Sequence, residues 1–284
     1  MKKIGFIDFY LAEWHADNYP AWIREISEEY TVAYAYAEQE ESLAYPGRSS
    51  SEWCEQNGVS RCATIEELCE KSDAIVILAP SNPEKHLGYA KTVLRYGKPT
   101  YIDKPFAPDL RTAKEIFALA EQYGTPFFST SALRYAEELD AFPACRQILV
   151  MGGGGNIPEY IIHQVEMAVK CLGLGAKRIK AERAGAQTYW HVDYGDDRSA
   201  SIVFARSMPY AVYMATSDPK GARPVTLTVQ SAFFKGLMAD MLRFFEEKQV
   251  SFDVAETLEV MALREGALRA LECEDEWFPL CNLD

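Results

Sequence analysis

The sequence predicts an α/β protein with an N-terminal Rossmann-type, doubly wound parallel sheet, followed by a C-terminal α+β domain whose sheet is mostly antiparallel. Strands and helices alternate as far as residue 130, which is the order of a parallel sheet with helices on both faces. The run at 74–79 is entirely apolar, as expected of a strand buried on both sides. Beyond residue 130 the alternation stops. We therefore expect domains at residues 1–130 and 131–284.

The elements of the first part follow from hydrophobic periodicity and from the residues that start and stop helices. Each apolar run ends at polar or turn-forming residues, and glycine closes the helix at 83–96, at Gly97. Predicted strands lie at 3–8, 31–37, 74–79, 100–102 and 126–129, and predicted helices at 15–30, 50–57, 65–71, 83–96 and 109–123.

In the second part, alternation between apolar and polar residues predicts a hairpin of two strands, at 189–194 and 199–206, across Gly195 to Asp197. A further strand is predicted at 225–230. Longer amphipathic runs predict helices at about 160–172, 234–248 and 253–272. These elements make an α+β domain.

Composition excludes several classes of function. The formal net charge is −13 and lysine and arginine form no cluster, so we expect no nucleic-acid partner. The seven cysteines form no C-x-x-C pair, and with the four histidines they show no metal-ligand spacing, so no metal is expected. No run reaches the length of a membrane span, and the N-terminus leads directly into a strand. We expect reduced thiols, no membrane partner and a cytoplasmic location.

Two neighbouring strands of the predicted parallel sheet end in polar residues. The strand at 74–79 stops at Pro80, Ser81 and Asn82, and the strand at 100–102 runs into Asp103 and Lys104. Ligands of open parallel sheets bind at the carboxyl ends of the strands, so Asn82 and Lys104 are expected at one rim.

These residues resemble the Gfo/Idh/MocA family, named after glucose-fructose oxidoreductase and inositol dehydrogenase. The family's Glu-Lys-Pro is matched by Asp103, Lys104 and Pro105, and its strand-to-helix segment is matched by APSNPEKH, which contains His86. The closing stretch SFDVAETLEVMALREGALRALE is also similar. The resemblance implies a nicotinamide-dependent enzyme in which Lys104 binds substrate and cofactor and supports proton transfer. The residues it implies for cofactor binding are Pro80, Asn82, His86, Asp103 and Lys104.

The loop after the first strand departs from the usual dinucleotide fingerprint. The segment Ile7, Asp8, Phe9, Tyr10 has none of the glycines of G-x-G-x-x-G, which let the backbone approach a diphosphate. Either the cofactor binds against a shifted or wider loop lined by these four residues, or the domain has lost ordinary dinucleotide binding. Glu38, just after the second strand, can bind ribose hydroxyls and repel a 2′-phosphate, which favours NAD over NADP. Alternatively, Glu38 is simply the first residue of an acidic loop.

A second group of candidate residues lies near the helix at 160–172. Glu159 and His163 are four positions apart and share a helix face. The pattern resembles the family's Asp-x-x-x-His, so His163 is the candidate general base, with Glu159 orienting it and Lys104 supplying positive charge. The alternative is a histidine satisfied within the core. Arg134 and Tyr135, at the predicted domain junction, are candidates for binding a polar substrate.

Two hypotheses of function follow. The first is an oxidoreductase that moves hydride between nicotinamide and a secondary alcohol or carbonyl of a sugar-like or cyclitol-like compound. The second is a non-catalytic ligand-binding or regulatory relative that has lost ordinary dinucleotide binding. In either case we expect a homodimer or larger assembly through the sheet of the C-terminal domain.

Overall fold

The computed structural model describes residues 1–140, 145–215, 226–228 and 232–280. The chain divides into two compact units, which are described here one at a time. Unit 1 comprises Met1–Thr130 and Lys235–Phe252, and unit 2 comprises Ser131–Phe234 and Asp253–Asp284. The chain therefore returns to unit 1 for one segment after most of unit 2 has been made.

Unit 1 contains a six-stranded parallel sheet in the order β3-β2-β1-β4-β5-β6, which confirms the predicted Rossmann-type architecture. Its strands are β1 (Lys2–Asp8), β2 (Tyr30–Ala37), β3 (Ser60–Arg61), β4 (Ala74–Ile77), β5 (Thr100–Ile102) and β6 (Phe127–Phe128). The two-residue strand β3 lies outside the predicted strands. In the register, Ile7 is opposite Ile77, and Ile77 is opposite Ile102, so β1, β4 and β5 end at the same level. Residues that follow these three strands are therefore close together.

The helices of the described residues alternate with these strands and continue into unit 2. They are α1 (Trp14–Ile26), α2 (Ser50–Asn57), α3 (Ile65–Lys71), α4 (His86–Val93), α5 (Leu110–Tyr123), α6 (Glu137–Asp140), α7 (Ile157–Leu172), α8 (Phe233–Glu247) and α9 (Ala255–Ala270). The predicted single helix at 83–96 is divided: 3₁₀ turns at Pro83–Lys85 and Leu94–Tyr96 flank α4.

The core of unit 1 lies on both faces of the sheet. The residues of β4 are almost completely inaccessible to solvent, as the unbroken apolar run predicts. Close packing of α3 over β1 accounts for Gly5, because a Cβ there would lie 2.4 Å from Ser72 Oγ and 2.5 Å from Leu68 Cδ2. From the C-terminal half, α8 adds Phe244, whose ring centroid is 4.9 Å from that of Phe128.

Unit 2 is built on a seven-stranded sheet in the order β12-β11-β7-β10-β9-β8-β13. The strands are β7 (Gln147–Gly152), β8 (Arg178–Ala184), β9 (Gln187–Asp193), β10 (Ser199–Phe204), β11 (Ala211–Ala215), β12 (Thr226–Thr228) and β13 (Trp277–Pro279). Only β7 and β10 pair in parallel, so the sheet is mostly antiparallel, as predicted. The predicted hairpin is β9 and β10. Of the strand predicted at 225–230, residues 226–228 form β12 and the others lie outside the described residues.

Helices α7 and α9 provide the apolar cover of unit 2. Trp190 of β9 is completely buried, and its Nε1 donates a hydrogen bond of 2.9 Å to the carbonyl of Ala267 in α9. A search of the described helices for one long and apolar enough to cross a membrane finds none.

Candidate active site

Asp8 is the last residue of β1, and its side chain contacts the segment that follows β4. Its Oδ1 accepts hydrogen bonds from the amide of Phe9 at 2.7 Å and from the amide of Ala79 at 3.0 Å. The second bond holds Ala79 in the left-handed region, at φ 56°. Burial raises the pKa of Asp8 well above its ordinary value, and the nearby carboxyl of Glu13 raises it further. The carboxyl group of Asp8 therefore stabilises the conformation of the surrounding backbone.

The loop after β1 is buried and bonded to the segment that follows β2. Leu11 and Ala12 are inaccessible to solvent. The amide of Leu11 donates to Ser50 Oγ at 3.1 Å, and Ser42 Oγ donates to the carbonyl of Ala12 at 2.6 Å. The carbonyl of Phe9 accepts from the amide of Gln39 at 2.7 Å, which extends the pairing beyond the strand ends. Polar groups of this loop are thus bonded within the chain.

Glu13 caps the N-terminus of α1. Its carboxylate accepts hydrogen bonds from the amides of His15, at 2.9 Å, and Ala16. The same carboxylate lies 3.0 Å from His15 Nδ1, and Glu13 is only 4% exposed. In dinucleotide-binding folds this helix end receives the diphosphate. In this chain the carboxylate of Glu13 occupies that helix end.

His15 joins Glu13 to the end of β5. Its Nε2 lies 3.8 Å from Asp103 Oδ2, while Asp103 Oδ1 accepts a hydrogen bond of 2.9 Å from the hydroxyl of Tyr101. Asp103 is 1% exposed. The ring of His15 therefore lies between two carboxylates, those of Glu13 and Asp103.

Lys104 follows Asp103 at the same edge of the sheet. It is 8% exposed, and within the described part of the chain it forms no hydrogen bond or ion pair. The peptide bond between Lys104 and Pro105 is cis. An ammonium group that is largely removed from water without an acceptor favours the binding of an anionic or hydroxyl-bearing ligand. Lys104 is thus the strongest candidate in unit 1 for contact with a substrate.

The residues between β4 and α4 differ in accessibility. Pro80 is buried, and Asn82 is half-buried with its Nδ2 donating to Glu84 Oε1 at 3.1 Å. His86 is completely buried, and its ring nitrogens lie 3.0 Å from the carbonyl oxygen of Phe106 and 2.6 Å from that of Leu78. Burial lowers the pKa of His86. Its contacts join the segments that follow β4 and β5.

Glu38 lies just after β2, where ribose hydroxyls bind in related folds. Its Oε1 accepts a hydrogen bond of 2.6 Å from Lys85, and its Oε2 accepts one of 2.8 Å from the hydroxyl of Tyr89. The bond from Lys85 lowers the pKa of Glu38. Lys85 Nζ also lies 4.7 Å from the centroid of the Phe9 ring. A ribose at this carboxylate would have to replace these contacts.

The candidate base His163 lies in α7 of unit 2. Its Nδ1 is 2.7 Å from Ser131 Oγ, and the rings of Tyr160 and Tyr210 approach it edge-on with centroids at 5.9 and 5.6 Å. A hydroxyl at Nδ1 fixes the orientation of the ring. Glu159, the predicted orienting group, accepts a hydrogen bond of 3.1 Å from Asn156 Nδ2.

Arg134 and Tyr135 end a short helical turn in unit 2. Arg134 is buried, with Nε bonded to Glu166 Oε1 at 2.5 Å and an amino group 2.7 Å from Glu256 Oε2. These two carboxylates neutralise the guanidinium group without the help of a substrate. Tyr135 is half-buried. The substrate-binding roles of both residues stay predictions, as does the meeting of Lys104 and His163, which belong to different units.

Sequence reasoning missed the residues that complete these arrangements, notably Glu13, Lys85, Tyr89 and Tyr210. One signal for them was available: Lys85 and Tyr89 are four positions apart and share a helix face. Among the described residues, no group of three or more histidine, cysteine, aspartate or glutamate side chains could hold a metal ion.

The fit of a nicotinamide dinucleotide differs between the end of β5 and the end of β1. At the end of β5, Lys104 offers an ammonium without an acceptor. At the end of β1, Glu13 occupies the helix N-terminus and the amide of Leu11 is bonded to Ser50, so a diphosphate does not fit in its ordinary position. A dinucleotide that binds with its diphosphate on α1 is therefore incompatible with this arrangement.

The parallel sheet and its strand ends define unit 1 as a Rossmann-type domain. A family model described as "Oxidoreductase family, NAD-binding Rossmann fold" (GFO_IDH_MocA) matches residues 16–131, beginning just after the glycine-free loop. Residues 16–131 therefore match the Gfo/Idh/MocA oxidoreductase family, which is the resemblance that the sequence predicted.

Other known proteins show the same fold. The "Uncharacterized oxidoreductase YhhX" of Escherichia coli (strain K12) is 36% identical over 66 residues, which are 22% of this chain and 19% of that protein. A myo-inositol dehydrogenase from Corynebacterium glutamicum ATCC 13032 has a TM-score of 0.79 at 13% identity, with 99% of each chain covered. A UDP-N-acetylglucosamine 3-dehydrogenase from Acidithiobacillus ferrooxidans has a TM-score of 0.76 at 14% identity, covering 95% of this chain and 98% of that one.

Proposed function

We propose that the protein is an oxidoreductase that converts between a secondary alcohol and a carbonyl in a sugar-like or cyclitol-like compound. The observation that carries this proposal is Lys104, a largely buried side chain at the carboxyl edge of a parallel sheet, whose ammonium group has no acceptor among the described residues. The oxidoreductase family and the solved structures of polyol and sugar-nucleotide dehydrogenases support the reaction class.

Each proposed residue has one chemical task. His163 takes a proton from the substrate hydroxyl, or returns it in the reverse direction, through the ring nitrogen that Ser131 does not contact. Lys104 stabilises the negative charge that develops on the substrate oxygen. Glu159 and Tyr135 stay candidates for orienting the base and for binding the substrate, and Arg134 stays a weaker candidate because its contacts are internal.

A nicotinamide dinucleotide would supply the hydride acceptor, with NAD preferred over NADP because Glu38 repels a 2′-phosphate. The proposed cofactor contacts are those of the strand-end segments, with the diphosphate displaced from the N-terminus of α1. In this proposal residues 1–130 hold the dinucleotide and residues 131–284 hold the substrate and the oligomer contacts.

The test is turnover of a panel of cyclitols, aldoses and sugar nucleotides with NAD and with NADP. With an active pair identified, His163→Ala is expected to lower kcat by a factor on the order of 10² to 10⁴ with little change in dinucleotide affinity. Lys104→Ala is expected to lower kcat and raise KM, whereas Lys91→Ala, at an exposed helix position, leaves both unchanged. Strictly additive losses in the double variant would contradict the proposal that the two residues act on one substrate.

A second candidate function is a non-catalytic ligand-binding or regulatory role within the same family. The observation that favours it is the occupation of the α1 N-terminus by Glu13. Absence of turnover with the whole panel, together with binding of a sugar-like compound that depends on Lys104, would select this candidate.

We further propose a homodimer or larger assembly through the sheet of unit 2, and a cytoplasmic location. The six cysteines of the described residues are all free, which supports a reducing compartment; Cys281 lies outside those residues. Light scattering that gave a mass of 32.0 kDa at micromolar concentration would reject the assembly.

A further inference from the structure

We propose that Glu13 is an internal substitute for the diphosphate of a dinucleotide and is the residue that excludes diphosphate groups from the N-terminus of α1. The proposal concerns the identity of a specificity-determining residue. It stands independently of whether the protein oxidises a substrate, because it depends only on the contacts around the start of α1.

The contacts of Glu13 are those that a bound phosphate makes at a helix start. Its two carboxylate oxygens take the amides of His15 and Ala16, which have no partner within the helix. Glu13 also approaches His15 Nδ1 at 3.0 Å, and it is almost completely buried. Because the partial positive charge of a helix end is confined to its first turn, one anion there leaves little for a second.

The surrounding loop is built to keep this arrangement. Leu11 donates its amide to Ser50, and Ala12 accepts a hydrogen bond from Ser42, so the residues before Glu13 are held by the segment that follows β2. The glycines that would let a ligand approach the backbone are replaced by Asp8 and Tyr10, both of which are buried. Three independent features therefore agree: the carboxylate at the helix, the bonded loop and the absent glycines.

Internal contacts also occupy Glu38, at the position where the adenosine ribose binds in related folds. Glu38 uses one oxygen for Lys85 and the other for Tyr89, so its carboxylate is already satisfied where ribose hydroxyls would bind. A dinucleotide bound in the ordinary position is consequently disfavoured at two points, at its diphosphate by Glu13 and at its ribose by the contacts of Glu38. Ligands without a diphosphate, such as a free cyclitol, meet neither obstacle at the end of β5.

The inference predicts that removal of the Glu13 carboxylate creates an anion site. Isothermal titration with inorganic pyrophosphate and with ADP is expected to show at least tenfold tighter binding to Glu13→Ala than to the unmodified protein. Glu13→Gln removes the charge but keeps one oxygen for the amides, so a smaller gain is expected. Glu28→Ala removes the same charge at an exposed position and is expected to change nothing, which controls for net charge.

Circular dichroism decides which variant is informative. If Glu13→Ala loses its helical signal because α1 lacks a cap, Glu13→Gln becomes the test, and a folded Glu13→Gln protein without any gain overturns the proposal. Equal affinity of the unmodified protein and a folded Glu13→Ala protein for both probes also overturns it.

The outcome is separable from that of the proposed function. Turnover of a polyol by the unmodified protein, combined with no gain of pyrophosphate binding in the variants, would leave the enzyme proposal intact and remove the role of Glu13. Tighter pyrophosphate binding by the variants, combined with no polyol turnover by the unmodified protein, would support the role of Glu13 and count against the enzyme proposal.

Discussion

Lys85 donates a hydrogen bond of 2.6 Å from its ammonium group to Glu38 Oε1, joining the turn before α4 to the residue that follows β2. The pair is about one-third exposed, so its direct contribution to stability is small. Its importance is chemical, because it places a cation beside the carboxylate that would discriminate between the two dinucleotides.

Opposite effects are therefore expected from removing the two partners. Glu38→Ala should narrow the preference for NAD over NADP, because the repulsion of the 2′-phosphate is lost while Lys85 remains. Lys85→Ala should widen the preference by roughly tenfold, since an unpaired Glu38 accepts ribose hydroxyls freely and repels a phosphate more strongly. Fluorescence titration with NADH and NADPH measures both ratios. If the ratio of NADH to NADPH affinity shifted in the same direction in both variants, Glu38 and Lys85 would not face the ribose.

Asp8 provides a prediction about pH and stability. Because burial raises its pKa in the folded protein, the folded state holds a proton at Asp8 that the unfolded state has released. The stability of the unmodified protein therefore falls as pH rises from about 4 towards the raised pKa of Asp8. Asp8→Asn keeps an oxygen for the amides of Phe9 and Ala79 but removes this titration.

The Tm of Asp8→Asn should accordingly exceed that of the unmodified protein at pH 8 and approach it near pH 4. Asp8→Ala loses both amide contacts and should be destabilised by about 1 to 3 kcal/mol at every pH. Differential scanning calorimetry at several pH values distinguishes the two variants. A difference between Asp8→Asn and the unmodified protein that stays constant with pH would mean that Asp8 does not titrate over this range.

Arg134 offers a test of unit 2. Its guanidinium group lies between the carboxylates of Glu166 and Glu256, and Glu166 is 3% exposed. Arg134→Ala would leave the Glu166 carboxylate buried without its cation, and the expected loss of unfolding free energy is about 3 to 5 kcal/mol. Urea denaturation followed by circular dichroism measures this loss. Glu256→Gln should cost less, because Glu256 is partly exposed and its amide still accepts a hydrogen bond. If Arg134→Ala and Glu256→Gln lost the same unfolding free energy, the ion pair between Arg134 and Glu166 would not be the cause of the destabilisation.

Ser131 is expected to position His163. Its Oγ lies 2.7 Å from His163 Nδ1, so Ser131→Ala removes a neutral hydrogen bond, and a loss of roughly fivefold in kcat with little change in KM is expected. Ser131→Thr keeps the hydroxyl group and should restore most of the activity. The ¹⁵N chemical shifts of the His163 ring provide a readout that needs no substrate, since loss of the contact alters the balance of its tautomers. Unchanged shifts in Ser131→Ala would contradict the positioning role.

Periodicity predicted most of the fold of unit 1, because the strands there are buried on both sides and appear as clear apolar runs. It did not find β8, whose sequence RIKAERA buries only Ile179 and Ala181, nor β13, which is short and contains Pro279. β13 is the edge strand of the sheet, where one edge meets solvent and proline is tolerated, and β8 lies next to it with few buried residues.

The candidate site was predictable only where a residue type carries its own chemistry. Lys104 and His163 were singled out because Lys104 follows a buried strand, His163 lies near the start of a helix, and each can bind or exchange a proton; their roles stay predictions. Glu13 was missed because glutamate is not among the residues preferred as helix N-caps, so nothing in the local sequence distinguishes it from a surface acid. The missing glycines indicated that the loop was unusual, but they did not indicate that Glu13 caps the start of α1.

The return of the chain to unit 1 has a consequence for synthesis of the protein on the ribosome. The segment Lys235–Phe252 belongs to unit 1, and Phe244 and Phe245 of α8 pack on Phe128 and Tyr30. When Thr130 has been made, the parallel sheet therefore still lacks this apolar cover. About 120 further residues must be added first, which takes on the order of 10 s at ordinary elongation rates. During that interval the aromatic surface around Phe128 is open to chaperones, and a fragment ending at residue 130 would keep it open permanently.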